Sequence, residues 1–469
     1  MAYWGDAPSL WQAPGFWTQM FGPEYQLDQT GGTPPWGPKP PAPTTDWISH
    51  GAGLIKAGYR GIELPNVLSP WKDFYVVSDL GQRWCAGFTA KMLCDYYDFT
   101  LNRTFLAATA YPYVRLVGDF YLSYMTHADG HYHVLHSCAM EGCHSQGAGD
   151  INANITLSND PPVDLAFAKR TFRNLIRYSE VLGVDEEQRS AWRNALEHIA
   201  PYPLTKDEDG NAVFAQASTG AGFPLRQCRA EKDQIHGAGC YNARYPIVYF
   251  AAIHPGEEID LASDAETVEI ARRTVSIIND INHYKPVNSL AMAWPPSSRV
   301  VNSSTWLLDK FEGSGLSGLL PNFLPSIGGT CAMEQSGATV AINDLLVSVH
   351  GHGENASMVL FPGGWPAGEA ISFQRIRIKG AFTVSADAVG AGDQPGGGGA
   401  LPVKLTGPVR VTALANGQNL TFAWWAGSQP SVTVASDGAV VAVRAVACGV
   451  RLPCFRFATT QGVSYELRG

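Results

Sequence analysis

The stretch HSCAMEGCHSQGAGD, residues 136–150, sets one carboxylate, Glu141, between Cys138 and Cys143, with His136 and His144 beside the cysteines. Several chemistries fit this pattern. Two thiols and two imidazoles could supply four zinc ligands, although their spacing matches no common zinc pattern. A Cys138–Cys143 disulfide would clamp a tight turn. A clamped, partly desolvated loop with few nearby cations would raise the Glu141 pKa, as general-acid catalysis near neutral pH requires. The plain alternative is a structural loop with Glu141 in water.

A reacting carboxyl needs rigid elements beneath it, and the chain is long enough to build them. Its 469 residues allow a large core and two or three domains. Apolar residues make up 45% and charged residues 16%, the reverse of a disordered chain. The formal charge of -9, without a dense Lys/Arg run, argues against a nucleic-acid partner. The absence of an 18-residue apolar run argues against a membrane span. Thirteen tryptophans offer platforms for sugar rings, but they serve equally as core filler.

The cysteines fall into close pairs at Cys138/Cys143, Cys228/Cys240 and Cys448/Cys454, leaving Cys85, Cys94 and Cys331. Sequons stand at Asn102, Asn154, Asn302, Asn355 and Asn419. Together they point to a secreted or endomembrane compartment. The start MAYWGDAPSL has neither a basic nor an apolar signal-peptide region, so the expectation is either a cytosolic chain or one missing its natural beginning.

Residues 1–45 are rich in Trp, Pro and Gly and read as loop. From about 46 to 352 the periodicity is mostly helical. DLAFAKRTFRNLIRYSEVLG places Leu165, Ala168, Phe172, Leu175, Ile176 and Leu182 near one face and stops at Gly183. Asp185 reads as the next cap, with Gln188 three residues on. Ser263 and Glu266 have capping-box spacing before another helix, and INDLLVSVHGHG reads as a helix ending at glycine. After about residue 356 the period changes. ISFQRIRIKGAFTVSA alternates, and SVTVASDGAVVAVRAV predicts a hairpin around Asp437-Gly438. The expected organisation is a helical domain over 1–355 and a β-sandwich-like domain over 356–469.

Several stretches resemble glycoside hydrolase family 95, the α-L-fucosidase and α-L-galactosidase family. GYRGIELPNVLSPW fits through Arg60, Gly61 and Trp71. QRWCAGFTAKMLCDYYDFTLNRTFLAATAYPYVRLVGDFYLSYM and DPPVDLAFAKRTFRNLIRYSEVLGVDEE resemble successive helix pairs, the second including Asp164. GTCAMEQSGATVAINDLLVSVHG, VLFPGGWP and RIRIKGAFTVS resemble the last barrel helix and its run into a β domain.

The resemblance implies a mainly α fold: an (α/α)6 barrel followed by a C-terminal β-sandwich-like domain. It implies an inverting glycosidase acting on an α-L-fucoside or related sugar, with a glycan or polysaccharide substrate and no metal cofactor. It puts Glu141 in the general-acid role. It places the base near CAMEQSG, where Met333 stands in ungapped register and Glu334 is the adjacent carboxylate; the alternative is a helix-start carboxylate that complements the dipole. An acid and base in an inverting enzyme lie about 6.5–9.5 Å apart.

Trp84 and Trp294 are candidate sugar-stacking residues, Asp164 a candidate partner of sugar hydroxyls or a helix cap, and Trp4 and His144 complete the binding set. His236 and His254 are too isolated to assign. The family's sugar-holding histidine runs are replaced here by Pro65–Ser69 and by RYPIVY, residues 244–249. This departure points to another sugar or a degenerate site. A polysaccharide lyase on the same toroid and a catalytically impaired carbohydrate-binding homologue are the alternatives. Finally, MAYWGDA resembles the end of a family motif, N-x-N-L-Q-M-N-Y-W, whose two asparagines help activate the catalytic water. They would lie upstream of Met1, so the resemblance implies an N-terminally truncated or divergent member with weak or undetectable hydrolysis.

Overall fold

The computed structural model describes residues 26–27, 58–63, 83–135, 137, 158–220 except 208 and 216, 251–277, 343–391 except 363, 364, 366 and 367, and 403–469 except 425–428 and 451.

Two helical hairpins lead. Helix α1 (Cys85–Thr100) ends at Leu101, which turns left-handed and returns its N–H to Tyr97 O at 2.6 Å. Asn102 then caps the next segment, its Oδ1 accepting from Phe105 N–H at 3.0 Å. Helix α2 (Tyr111–Tyr124) is entered through a wide π turn at Leu106–Ala110. Pro112 lacks the N–H that a regular α turn would use there, and the wide turn accommodates that loss. Val114, Val117, Phe120 and Tyr121 follow helical spacing and are fully buried.

Helix α3 (Pro162–Leu182) is buried on every side through its first two turns and ends at left-handed Gly183, as its periodicity predicts. Of its expected apolar face, Leu165, Ala168, Phe172 and Leu175 are fully buried, while Ile176 and Leu182 pack at the edge. Helix α4 (Arg189–His198) returns along it on Trp192 and Ala195. One core joins these four helices. Gly61 lies against α2 at φ +80°, where a Cβ would come within 2.0 Å of Leu116 O. Only glycine permits that approach.

Two cap assignments shift. Asp185 caps nothing: it sits at φ 49°, and its carboxylate accepts from Tyr111 Oη at 2.6 Å, tying the α3–α4 turn to α2. Helix α5 (Ala265–Ile277) is capped by Asp264 rather than Ser263. Ser263 Oγ instead accepts from Asp260 N–H at 3.0 Å. The segment read as mostly helical also contains short antiparallel ladders at 126–128/131–133, 158–159/219–220 and 204–206/212–214. Each is too short to show a period in sequence.

The C-terminal region is β-rich. Its strands are β1 (Val347–His350), β2 (Ser357–Leu360), β3 (Ala370–Ile378), β4 (Phe382–Gly390), β5 (Val403–Leu405), β6 (Val409–Ala413), β7 (Asn419–Ala423), β8 (Ser431–Val434), β9 (Arg444–Val446), β10 (Cys454–Ala458) and β11 (Ser464–Arg468). One sheet runs β9–β10–β7–β2–β1 and the other β3–β4–β6–β11–β8, with β5 on β4. The inner faces of both sheets share one core, including Phe361, Phe373, Phe422, Tyr465 and Leu467.

Here the sequence reading needs three corrections. Helix stops at residue 346 and 347–350 is strand, because Val347 and Val349 pair with β2. The turn at Asp437-Gly438 forms, with Gly438 at φ 71° and a Thr433–Val440 bridge, but the second Val-rich run feeds β9 in the other sheet. The alternation in β3 breaks at a bulge between Phe373 and Ile376, where Arg375 takes φ 56°. The Cys448–Cys454 pair is a disulfide, and Cys85 and Cys94 are buried thiols. The other two cysteine pairs lie outside the described residues.

Candidate active site

The start of α1, the end of α2 and the start of α3 converge on a buried polar cluster. Asp164, in the first turn of α3, is fully buried. Its Oδ2 accepts from Ser137 Oγ at 2.7 Å, and Ser137 Oγ in turn accepts from Arg83 N–H at 3.3 Å. Its Oδ1 has no hydrogen-bond partner among the described residues. Burial pushes the carboxyl up to about 8; Ser137 and Arg83 oppose the shift, while Asp160 and Glu63 add to it. At neutral pH Asp164 is therefore mostly protonated.

Arg83 supplies the nearby cation. Its guanidinium donates to Glu63 Oε1 at 2.7 Å and to Tyr124 Oη at 3.2 Å. Glu63 follows Gly61–Ile62, so the tight approach of Gly61 to α2 delivers it. Tyr124 Oη donates onward to Leu135 O at 2.6 Å.

A second carboxylate holds the neighbouring strand. Asp160 Oδ1 accepts from Val134 N–H at 2.9 Å, and Oδ2 accepts from Ser218 Oγ at 2.9 Å and lies 2.8 Å from His133 Nδ1. Asp160 sits at φ 52° just before α3. Extended backbone at Pro161 then starts the helix, and the sequence signal is the proline pair at 161–162.

Trp84 is half-buried. It stacks on Phe167 at 6.4 Å and 16° and meets Phe88 edge-on at 6.1 Å; Phe88 is 37% exposed. Phe167 lies three residues beyond Asp164, so α3 brings Asp164 and Trp84 to one end of the helices. The hydroxyl of Ser137 is Asp164's bonding partner, and no backbone capping bond is made by the Asp164 side chain. Glu141, Glu334, Trp294, Trp4 and His144 lie outside the described residues. Sequence reasoning missed Glu63, Arg83, Ser137, His133 and Asp160. These residues share no local spacing, and only Arg83, charged beside a helix-opening Trp, offered a signal. Among the described residues no cluster of three or more His, Cys, Asp or Glu side chains could hold a metal.

A cavity of about 670 Å³ lies away from this cluster, between the later turns of α3 and the β region. Several of its charges are paired. Arg170 bridges Asp95 at 2.9 Å and Glu257 at 2.6 Å, Arg173 binds Glu258 at 2.5 Å, and Lys379 from the β region reaches Glu257. Burial would raise the Glu257 carboxyl, but Lys379, Lys91 and Arg170 hold it well below the usual range. This network joins the two regions. His254, left unassigned in the sequence, is half-buried nearby, with its Nδ1 turned inward, and desolvation followed by Lys91 pushes its imidazole down to about 4.

Among curated proteins, none matches this chain at a significant level. Among solved structures, a protein from the human microbiome assigned as a kojibiose phosphorylase is similar at 9% identity and a TM-score of 0.49. The likeness covers 80% of this chain and 52% of that one, so the chain spans about half its length. No helix among the described residues is long and apolar enough to cross a membrane. Residues 54–211, which hold Glu63, Arg83, Asp160 and Asp164, match the Glycosyl hydrolase family 95 catalytic domain, and over this stretch the chain is glycoside hydrolase family 95-like.

Proposed function

We propose that the chain is an inverting glycoside hydrolase acting on an α-L-fucoside or related sugar of a glycan or polysaccharide. The catalytic unit is an (α/α)6 toroid ending near residue 355, followed by the β domain. Glu141 is the general acid and Glu334 the base. The observation that carries this reading is the family match over 54–211. It contains α1 to α4 and the buried carboxyl cluster at one end of them.

The cluster supports the reading in a specific way. Asp164 is held largely protonated by burial, in a polar cluster next to the Arg83–Glu63 pair. Desolvation at this end of the helices is the condition that raises the pKa of a general acid. Trp84 and Phe88 place an aromatic edge at the same end, where a sugar C–H face could stack. Metal chemistry is not part of the proposal. The protein works in a secreted or endomembrane/lysosomal-type compartment, a setting that its paired cysteines and sequons fit.

A screen of aryl glycosides and natural glycans tests the reaction class, and NMR of the first-formed anomer tests inversion. Glu141→Gln should lower turnover about 10²–10⁴-fold, the usual weight of general acid catalysis. No turnover on any glycoside overturns the hydrolase reading. An unchanged rate in Glu141→Gln, or a retained anomer, overturns the assigned roles.

A further inference from the structure

The site described above leaves one group without a role: the imidazole of His133. It closes the strand 131–133, directly after α2 and its hairpin turn. Its Nδ1 is 2.8 Å from Asp160 Oδ2, whose carboxylate is already accepting from Val134 N–H and Ser218 Oγ. A group that accepts from all sides fixes its neighbour as a donor. The proton of neutral His133 therefore sits on Nδ1, and the lone pair on Nε2. The Asp160 side chain is 4% exposed and the His133 side chain 23% exposed, so the imidazole edge away from Asp160 carries the accessible surface.

Position adds to this. Asp160 immediately precedes α3 and lies close enough to Asp164 to raise its carboxyl. His133 thus belongs to the same end of the helices as Asp164, Arg83 and the Trp84–Phe88 edge. An imidazole backed by a buried carboxylate is a better acceptor than a free one, because the carboxylate stabilises positive charge developing on the ring.

We propose that His133 is a ligand-facing residue, oriented by Asp160, whose Nε2 accepts a hydrogen bond from a hydroxyl of a bound saccharide. The ligand class rests on the glycosidase reading; the orientation of the ring rests on the Asp160 geometry alone. A histidine that merely pinned the hairpin to the start of α3 would gain nothing from presenting this edge.

Carbethoxylation by diethyl pyrocarbonate, mapped by tandem mass spectrometry on the intact chain, reads the edge directly. The reagent forms a bond from the neutral ring nitrogen to its carbonyl carbon and releases carbon dioxide and ethanol. Labelling is followed without sugar and with L-fucose, L-galactose, D-galactose or D-glucose. Exposed His198 is the internal control, and turnover of aryl glycosides is measured on the same preparation. With a sugar at about ten times its dissociation constant, His133 labelling should slow about tenfold, since only free sites react, while His198 is unchanged. A His133 that resists labelling without sugar, or that labels at one rate with every sugar, overturns the proposal. Turnover without protection overturns His133 and leaves the glycosidase reading standing. Protection without turnover supports His133 and overturns the hydrolase reading.

Discussion

Ser137 Oγ donates to Asp164 Oδ2 at 2.7 Å across 27 residues of chain. This bond ties the strand leaving α2 to the first turn of α3. Asp164 has one satisfied oxygen and no exposure, and burial, against the opposing Ser137 bond, pushes its carboxyl up to about 8.

The first prediction follows from that carboxyl. Its unfolded value is 3.8 and its folded value about 8. Because the folded value is the higher, any benefit is fully present at low pH and is lost as pH rises from about 4 to 8. Asp164→Asn stays neutral throughout. Its stability relative to the parent should therefore climb across this window, by about 1 kcal/mol per pH unit. Urea denaturation of both proteins at pH 5 and pH 8 measures it, and a difference that does not change with pH refutes it.

Gly61→Ala should be severe. The new Cβ would lie 2.0 Å from Leu116 O and 2.4 Å from Phe120 N, at φ +80°. The cost should be about 3 kcal/mol or more, from strain and overpacking together. Gly438→Ala, at φ +71° with nothing within 4 Å, should cost only about 1 kcal/mol. Similar melting temperatures for the two variants would contradict the close approach of residue 61 to α2.

Glu63→Gln removes one partner of a buried ion pair, whose side chains are 0% and 1% exposed. It should destabilise by about 3–5 kcal/mol, because the Arg83 charge stays buried. The double variant Glu63→Gln, Arg83→Met should recover part of that loss. Chemical denaturation of the three proteins decides whether the pair is coupled.

Glu257→Gln tests the junction. The Glu257 carboxyl is held low, so its contribution is fully present above about 4.5, the unfolded value, and is lost as pH falls below it. The variant should be less stable at pH 7 by about 3 kcal/mol and should show a flatter loss of stability below pH 4.5. An acid-unfolding profile identical to the parent would show that Lys379 and Arg170 do not depend on this residue.

The helices were legible because their signals are local. Gly183 stops α3 where the apolar period ends, and Leu165, Ala168, Phe172 and Leu175 occupy the predicted face. Errors arose where a partner elsewhere in the fold overrode a local signal. Val347 and Val349 directly follow the apolar pair Leu345–Leu346 and read as part of its helix, but a partner strand, Ser357–Leu360, draws them into a sheet. Asp185 looks like a cap, yet Tyr111 on another helix offers its carboxylate a better bond.

By itself, the amino-acid sequence determined the order of a helical part and a β-rich part, the stop of α3 at Gly183, the turn at Asp437-Gly438 and a resemblance that marked Asp164. Periodicity, glycine stops and turn chemistry act within a few residues, so one chain segment is enough to express them. The bonding of Asp164 to Ser137, of Arg83 to Glu63 and of His133 to Asp160 was decided only by tertiary structure. Each joins residues 20 or more positions apart. The raised Asp164 carboxyl comes from burial beneath several elements at once, a property that no spacing along the chain encodes.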